Sequence, residues 1–397
     1  MPFINRLLNS TPLLLLSIQV SSFVVPWLIV LWLSHQQGAQ QVGTFSYILA
    51  LLAPLTLLLA SPSRNFLLAS SDEQDPIHLS LRAYMGLFGL LIALAIGVWL
   101  EQWGLVLAIY LFKITEQLFD LSIAESIKHR HTQRLLMITL SKWGAILLAS
   151  VAALLTHSLP ITLFAISVLF VVICVYQQKH VLLSLNVAAL LALAKRALPL
   201  SLSALCFSIY FNIPRYIMGG EEDRILLSVY TVASFLVMAA LVLVNAVVQS
   251  RLHMLKQAWL LAHKQDFHVH IRHCVVIILM LFFVLQIAHV PMFAELFWAA
   301  HNNIQLTDGD HTQVYTLVLL LSWGPLLFSF SNYLFVISGR HKLLLLFTVC
   351  NIVFCYIIGS VIFNQFAFSG LMVLVAVSSV LQCAGGIWSL RTTPRES

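Results

Sequence analysis

The chain has 397 residues, of which 60% are hydrophobic and only 9% are charged. Soluble domains average about 25% charged residues, so this composition excludes a protein with a fully solvated surface. The formal net charge of +6 comes from basic residues that lie in separate short segments, which argues against a nucleic-acid-binding surface. We therefore expect a multi-pass membrane protein that contacts membrane lipids and binds no nucleic acid.

Long apolar segments recur along the whole sequence. We predict about twelve spans, because a helix needs about 20 apolar residues to cross the hydrocarbon layer. The approximate bounds are 13–34, 44–69, 80–100, 104–126, 134–156, 159–177, 197–218, 225–249, 274–298, 312–338, 342–364 and 367–390. They lack the alternation of membrane β-strands, which predicts an all-α protein. The first segment is too long for a cleavable signal peptide, so we expect it to be a span.

Basic residues lie before the first span, in every second connection and after the last span. They are Arg6, Arg82, Lys128, Arg130, Arg134, Lys179, Lys195, Arg196, Arg251, Lys256, Lys264, Arg272, Arg340, Lys342, Arg391 and Arg395. On the other side, Arg224 is the sole exception. The positive-inside rule then predicts cytoplasmic termini and an even number of spans.

A weak internal repeat divides the chain near its middle. Gly43–Ser46 opens the second span as Ser228–Thr231 opens the eighth, and each of these spans ends in a serine-containing segment with an arginine, Arg64 or Arg251. The repeat predicts two six-helix bundles, residues 1–185 and 186–397, related by an axis along the membrane normal. The connection between them is expected to form an amphipathic helix on the cytoplasmic surface.

Three charged residues lie in the middle of the fourth predicted span. Lys113 lies nine residues after Gly104, hence about 14 Å deep, and Glu116 and Asp120 follow at spacings of three and four residues. Together with Gln117 they occupy one stripe of the helix, which must face a cavity or another helix rather than lipid. The alternative is a purely structural Lys113–Glu116 pair.

Three further cations lie in or beside spans. Arg64 is expected near the inner interface, either facing a cavity as a phosphate ligand or anchoring the helix end in the headgroups. Arg215 follows Pro214 near the outer end of the seventh span. It either faces a cavity or pairs with an acidic turn that contains Glu221, Glu222 and Asp223. We expect Lys142 to extend towards the membrane surface.

No motif indicates an enzyme, a metal or a cofactor. The four residues Asp266, His268, His270 and His273 are predicted to lie in a solvated cytoplasmic loop rather than to bind zinc. All six cysteines are expected to be buried as small hydrophobic residues. Because no nucleotide-binding loop or nucleophile motif is present, energy for transport would come from a proton or sodium gradient, the membrane potential or the substrate's own gradient.

Two segments carry a resemblance to a known family. ALPLSLSALCFSIYFNIPRYIMG and ILLSVYTVASFLVMAALVLVNAVVQSRL resemble the start of the second half of Wzx-type polysaccharide flippases. VGTFSYILALLAPLTLLLASPSRNFLLAS resembles the family's second span, which ends in an arginine. The family belongs to the multidrug/oligosaccharidyl-lipid/polysaccharide exporter (MOP) superfamily, and the resemblance covers most of the chain.

The resemblance implies two bundles around a central cationic cavity in a bacterial inner membrane. It implies transfer of an undecaprenyl-diphosphate-linked oligosaccharide, an O-antigen or capsule repeat unit, to the periplasmic leaflet. Arg64, Lys113 and Arg215 would bind the diphosphate, while Glu116 and Asp120 would tune Lys113 or couple protons or sodium. Polysaccharide polymerase and a chain-length regulator are candidate partners.

Alternative functions stay open on the sequence. An ion-coupled multidrug antiporter of the same superfamily is one alternative. The lipid II flippase branch is another, although its chains are usually longer, with extra helices. An enzyme alternative, a membrane polysaccharide polymerase or acyltransferase, is less favoured, because the predicted external loops are short and nearly free of arginine.

Overall fold

The computed structural model describes residues 11–69, 75–128, 131–177, 186–219, 224–261, 264–290 and 309–391. Every regular element in these ranges is an α-helix, as predicted. They are α1 (Thr11–Gln36), α2 (Ala39–Ala69), α3 (Asp75–Trp99), α4 (Trp103–Lys128), α5 (Thr132–Thr156), α6 (Leu159–Gln177), α7 (Val187–Ile217), α8 (Arg224–Leu260), α9 (Lys264–Ile287), α10 (Gly309–Leu320), α11 (Trp323–Ile337) and α12 (His341–Arg391).

Nine segments in the described ranges are long and apolar enough to cross a membrane. The helix α4 is as long as these but carries charged residues in its middle, and α7 contains a break between Arg196 and Ser201. The helices α10 and α11 together make one such segment. These helices coincide with the predicted spans, so the all-α membrane architecture is confirmed.

The last two predicted spans form a helical hairpin within α12. Its helical dihedral angles are interrupted at Ala367, with φ 51° and ψ −147°. A Cβ atom on Gly359 would lie 3.1 Å from the Leu371 side chain, and Asn351 donates to Gln382. These pairings run in opposite directions along the sequence, so the two arms are antiparallel and turn at Ala367.

The predicted cytoplasmic loop between the eighth and ninth spans is largely helical instead. The helix α8 continues to Leu260, and α9 begins at Lys264. Asp266, His268, His270 and His273 therefore lie in the first turns of α9, and the prediction that they form a loop was wrong. Hydropathy marks only the part of a helix that matches lipid, and polar turns that extend the helix beyond it look like loop sequence.

The described helices form two compact units. The first comprises Met1–Val25 and Leu51–Ser208, and the second comprises Pro26–Ala50 and Ile209–Ser397. In the first unit, Phe119 of α4 packs edge-on against Phe170 of α6 with ring centroids 4.8 Å apart. The predicted division at residue 185 stays a prediction.

The second unit is held together by buried aromatic and polar contacts. Tyr210 of α7 stacks on Phe328 of α11 with ring centroids 4.0 Å apart. Its hydroxyl donates to the carbonyl oxygen of Val375 at 2.8 Å. A Cβ atom on Gly43 of α2 would lie 2.3 Å from the carbonyl oxygen of Arg224, so the absence of a side chain there lets α2 approach the start of α8.

Candidate functional site

The charged stripe of α4 contains a partly buried ion pair. Nζ of Lys113 lies 3.0 Å from Oε2 of Glu116, three residues further along the helix. The Lys113 side chain is 21% exposed and that of Glu116 is 10% exposed. The pairing predicted as the structural alternative therefore exists, yet Lys113 keeps part of its surface accessible.

The same carboxylate contacts a second lysine from the next helix. Nζ of Lys142 in α5 lies 3.4 Å from Oε1 of Glu116 and also donates to Oγ of Ser22 in α1 at 2.5 Å. The Lys142 side chain is fully buried, so the prediction that it extends to the membrane surface was wrong. A buried ammonium group needs a counter-charge, and Glu116 supplies it.

A buried arginine lies beside this cluster. We counted Arg82 with the cytoplasmic connections, but it lies within α3 and is buried. Its guanidinium group donates to the main-chain carbonyl of Gln117, the residue that follows Glu116. Sequence reasoning missed this contribution because one arginine seven residues into a helix reads as an interfacial anchor, and only packing against α4 shows otherwise.

Asp120 lies one turn beyond Glu116 on α4 and differs from it. Its side chain is partly buried, and within the described part of the chain no hydrogen bond or ion pair to it is found. The neighbouring polar residue Gln117 is buried, and its Oε1 atom has no hydrogen-bond partner there. Of the two predicted coupling residues, Glu116 is thus held by lysines, whereas no partner of Asp120 is found among the described residues; a coupling role for either stays a prediction.

Arg215 lies in the last turn of α7, in the second unit. Its guanidinium group donates to Oδ1 of Asn212 at 2.7 Å and to Oγ of Ser234 at 3.1 Å. It also lies 5.7 Å from the centroid of the Tyr230 ring, while its Nε atom is buried without a partner. Among the described residues, its charge therefore meets only neutral groups; the acidic turn at 220–223 lies outside them.

Arg64 is the remaining predicted site residue. Arg64 lies in α2, but its side chain is outside the described residues, so its predicted role stays a prediction. Within the described ranges no group of three potential ligands could hold a metal ion. Two tyrosines of the second unit are already engaged within the protein: Tyr210 is fully buried in packing, and the hydroxyl of Tyr333 donates to Asn245.

Comparison with solved structures identifies the fold. The chain matches a MATE transporter solved in complex with MaL6 at a TM-score of 0.60 with 14% identity, covering 97% of this chain and 98% of that one. It matches an inward-facing multidrug resistance MATE family transporter of the MOP superfamily at 0.59 with 14% identity over 96% and 98%. A MOP superfamily transporter from Pyrococcus furiosus, described as having a binding pocket of reverse polarity, matches at 0.59 with 14% identity over 97% and 96%.

These matches span almost the full length of both chains, and they show that this chain has the fold of the MATE transporters of the MOP superfamily. The predicted exporter-superfamily fold is thereby confirmed. No protein-family model matches the sequence, and no curated protein matches it. At this low identity the likeness establishes the fold, whereas function depends on the site.

Proposed function

We propose that this chain is a membrane transporter that moves its substrate by alternating access. The observation that carries the proposal is the end-to-end match to transporters of one fold. Charged residues within the spans add support, because such residues are costly in lipid and mark transport pathways. The solved neighbours are described as transporters, so they lend no support to the alternative of a polymerase or acyltransferase.

The first candidate for the transported species is the multidrug one. Two of the matched structures are described as multidrug resistance transporters, which favours the ion-coupled antiporter over the flippase suggested by sequence resemblance. Asp120 fits this candidate, since a partly buried carboxylate without an ionic partner in the described chain suits a coupling ion or an organic cation.

The second candidate is the flippase for undecaprenyl-diphosphate-linked oligosaccharide, and a specific observation favours it. Two lysines, Lys113 and Lys142, surround a single carboxylate, and Arg215 meets only neutral groups among the described residues. Such uncompensated positive charge suits an anionic head group. In this proposal Lys113, Arg215 and Arg64 bind the diphosphate, and Glu116 or Asp120 couples an ion, in a bacterial inner membrane with both termini cytoplasmic.

One pair of assays separates the candidates. In a strain that lacks this chain, an antiporter would leave cells more sensitive to cationic drugs, whereas a flippase would leave lipid-linked oligosaccharide on the cytoplasmic leaflet. Each defect should be restored by the wild-type chain. We expect Lys113→Met to fail in the flippase assay and the control Arg134→Gln, which alters a partly exposed ion pair with Glu125, to succeed. Wild-type behaviour of the deletion strain in both assays would reject the transporter proposal.

A further inference from the structure

The cluster around Glu116 contains one lysine that is sealed inside the protein and one that is not. Lys142 has no exposed surface and is held by Glu116 of α4 and Ser22 of α1. Lys113 is about one-fifth exposed and contacts the other oxygen of the same carboxylate at 3.0 Å. The two lysines therefore share a counter-ion, but only Lys113 is placed to meet a ligand.

Lys142 lowers the free-energy cost of moving Lys113 away from the Glu116 carboxylate. If Lys113 alone neutralised Glu116, its departure would strand a buried anion, which is strongly unfavourable. With Lys142 at 3.4 Å from Oε1, the carboxylate keeps a cationic partner after Lys113 moves away. The two ammonium groups also repel each other, which weakens the attraction of Lys113 to the carboxylate.

Lys142 is itself well fixed. Its neighbour Trp143 donates from Nε1 to Oγ of Ser17 at 3.0 Å, so two consecutive residues of α5 bind the same helix, α1. These two contacts fix α5 against α1, and they hold the ammonium group of Lys142 beside Glu116. A lysine positioned in this way can act as a permanent counter-ion.

We propose that Lys142 is a positioning residue that keeps Glu116 paired, so that Lys113 is released to bind a phosphate or diphosphate group. The inference rests on the second candidate function, since it requires an anionic substrate. It assigns a role to a residue that the sequence placed at the membrane surface. Lys113 would exchange the Glu116 carboxylate for phosphate oxygens, and Lys142 would stay in place throughout.

The test is binding of inorganic pyrophosphate to the purified full-length chain in detergent, measured by calorimetry. In Lys142→Met, Glu116 retains only Lys113, and we expect affinity to fall about tenfold, equivalent to about 1.4 kcal/mol. The double variant Lys142→Met/Glu116→Gln removes the carboxylate as well and should restore affinity to within about threefold of wild type. The melting temperature of each variant is measured alongside, because a purely structural role for Lys142 would lower stability and affinity together, whereas the positioning role lowers affinity in protein that is still folded.

Two controls complete the design. Arg134→Gln affects an ion pair between the same two helices, Arg134 to Glu125 at 3.0 Å, and should leave pyrophosphate affinity unchanged. If Lys142→Met does not fold, the double variant decides, because it removes both buried charges and leaves Lys113 free to bind; its affinity should stay within about threefold of wild type. A folded double variant that binds pyrophosphate about tenfold more weakly than wild type, or as weakly as Lys142→Met, would overturn the inference.

A second ligand distinguishes a lipid-linked phosphate group from a free one. Farnesyl diphosphate that binds more tightly than pyrophosphate would identify a lipid-linked head group, and equal affinity would identify a free diphosphate; both support the role of Lys142. If the binding series behaves as expected but reconstituted protein transports no lipid-linked substrate, the proposed function fails and the positioning role stands.

Discussion

The side chains of Asn351 and Gln382 join the two arms of the α12 hairpin: Nδ2 of Asn351 donates to Oε1 of Gln382 at 2.8 Å. Nε2 of Gln382 in turn donates to Oδ1 of Asn332 at 3.1 Å and to Oγ1 of Thr348 at 3.2 Å. Gln382 is fully buried, and its one amide satisfies polar groups on the opposite arm and on α11. Helices that pack within a bilayer rely on such bonds because lipid offers no hydrophobic driving force between them.

Replacing Gln382 by leucine should destabilise the second unit. Leucine has a similar volume but leaves the buried amide of Asn351 without its partner, at a cost of about 1–3 kcal/mol. Thermal unfolding in detergent should show a lower melting temperature. The matched control is Gln365→Leu, an exposed glutamine near the end of the other arm, which should leave the melting temperature unchanged. Equal stability of the two variants would show that the network contributes nothing.

Gly43 should not tolerate a methyl group. A Cβ atom there would lie 2.3 Å from the main-chain carbonyl oxygen of Arg224, so the helices must move apart, at about 1–3 kcal/mol. At Gly144 in α5 a Cβ atom meets nothing within 4 Å, and alanine should be neutral or stabilising by up to about 1 kcal/mol. The melting temperatures of Gly43→Ala and Gly144→Ala test the close approach of α2 to α8. A Gly43→Ala protein as stable as wild type would contradict it.

Ala367 occupies a backbone conformation that favours glycine. With φ at 51° and ψ at −147°, a residue with a Cβ atom is strained by about 1–3 kcal/mol. We expect Ala367→Gly to raise the melting temperature, although the greater freedom of glycine in the unfolded chain offsets about 0.5–1 kcal/mol. Ala367→Val should lower it. The reverse order would show that the turn does not have this geometry.

Arg215 should matter for transport more than for folding. Its partners in the described chain are neutral, so removing its charge leaves no described carboxylate without a counter-ion. If it binds an anionic head group, Arg215→Met should fold normally and transport at least about tenfold less, while Arg215→Lys retains part of the activity because the charge persists. The control Lys256→Met removes an exposed cation of α8. Full flippase activity in Arg215→Met would exclude this role.

Hydropathy predicted the fold well, because helices that cross lipid must be apolar over a fixed length. Within the described ranges the twelve predicted segments coincide with helices except at single residues at their ends and at 288–290 and 321–322. The same signal failed where helices leave the lipid, as at Leu260 and Lys264, since polar helical turns resemble loops. It placed the break between the last two spans beside Ala367, but it gave no indication that this residue takes a positive φ, because no glycine or proline stands at that position.

The candidate site was only partly predictable. Spacing along α4 indicated that Lys113 and Glu116 are neighbours, and their ion pair confirms it. The partners from other helices, Lys142 and Arg82, were not predicted to join them. Whether a lysine two turns into a span faces headgroups or a buried carboxylate depends on how α5 packs against α1 and α4, and a single sequence carries no information on that contact.

The most direct test of the account is flux through purified protein in liposomes under an imposed proton or sodium gradient. Wild-type protein should move either a cationic dye or a lipid-linked diphosphate oligosaccharide faster than protein-free liposomes, and the gradient should be required. Flux of the cationic dye would identify the antiporter, and flux of the lipid-linked oligosaccharide would identify the flippase. Flux equal to that of protein-free liposomes for both substrates, from protein that remains folded and correctly inserted, would contradict the central claim that this chain is a transporter.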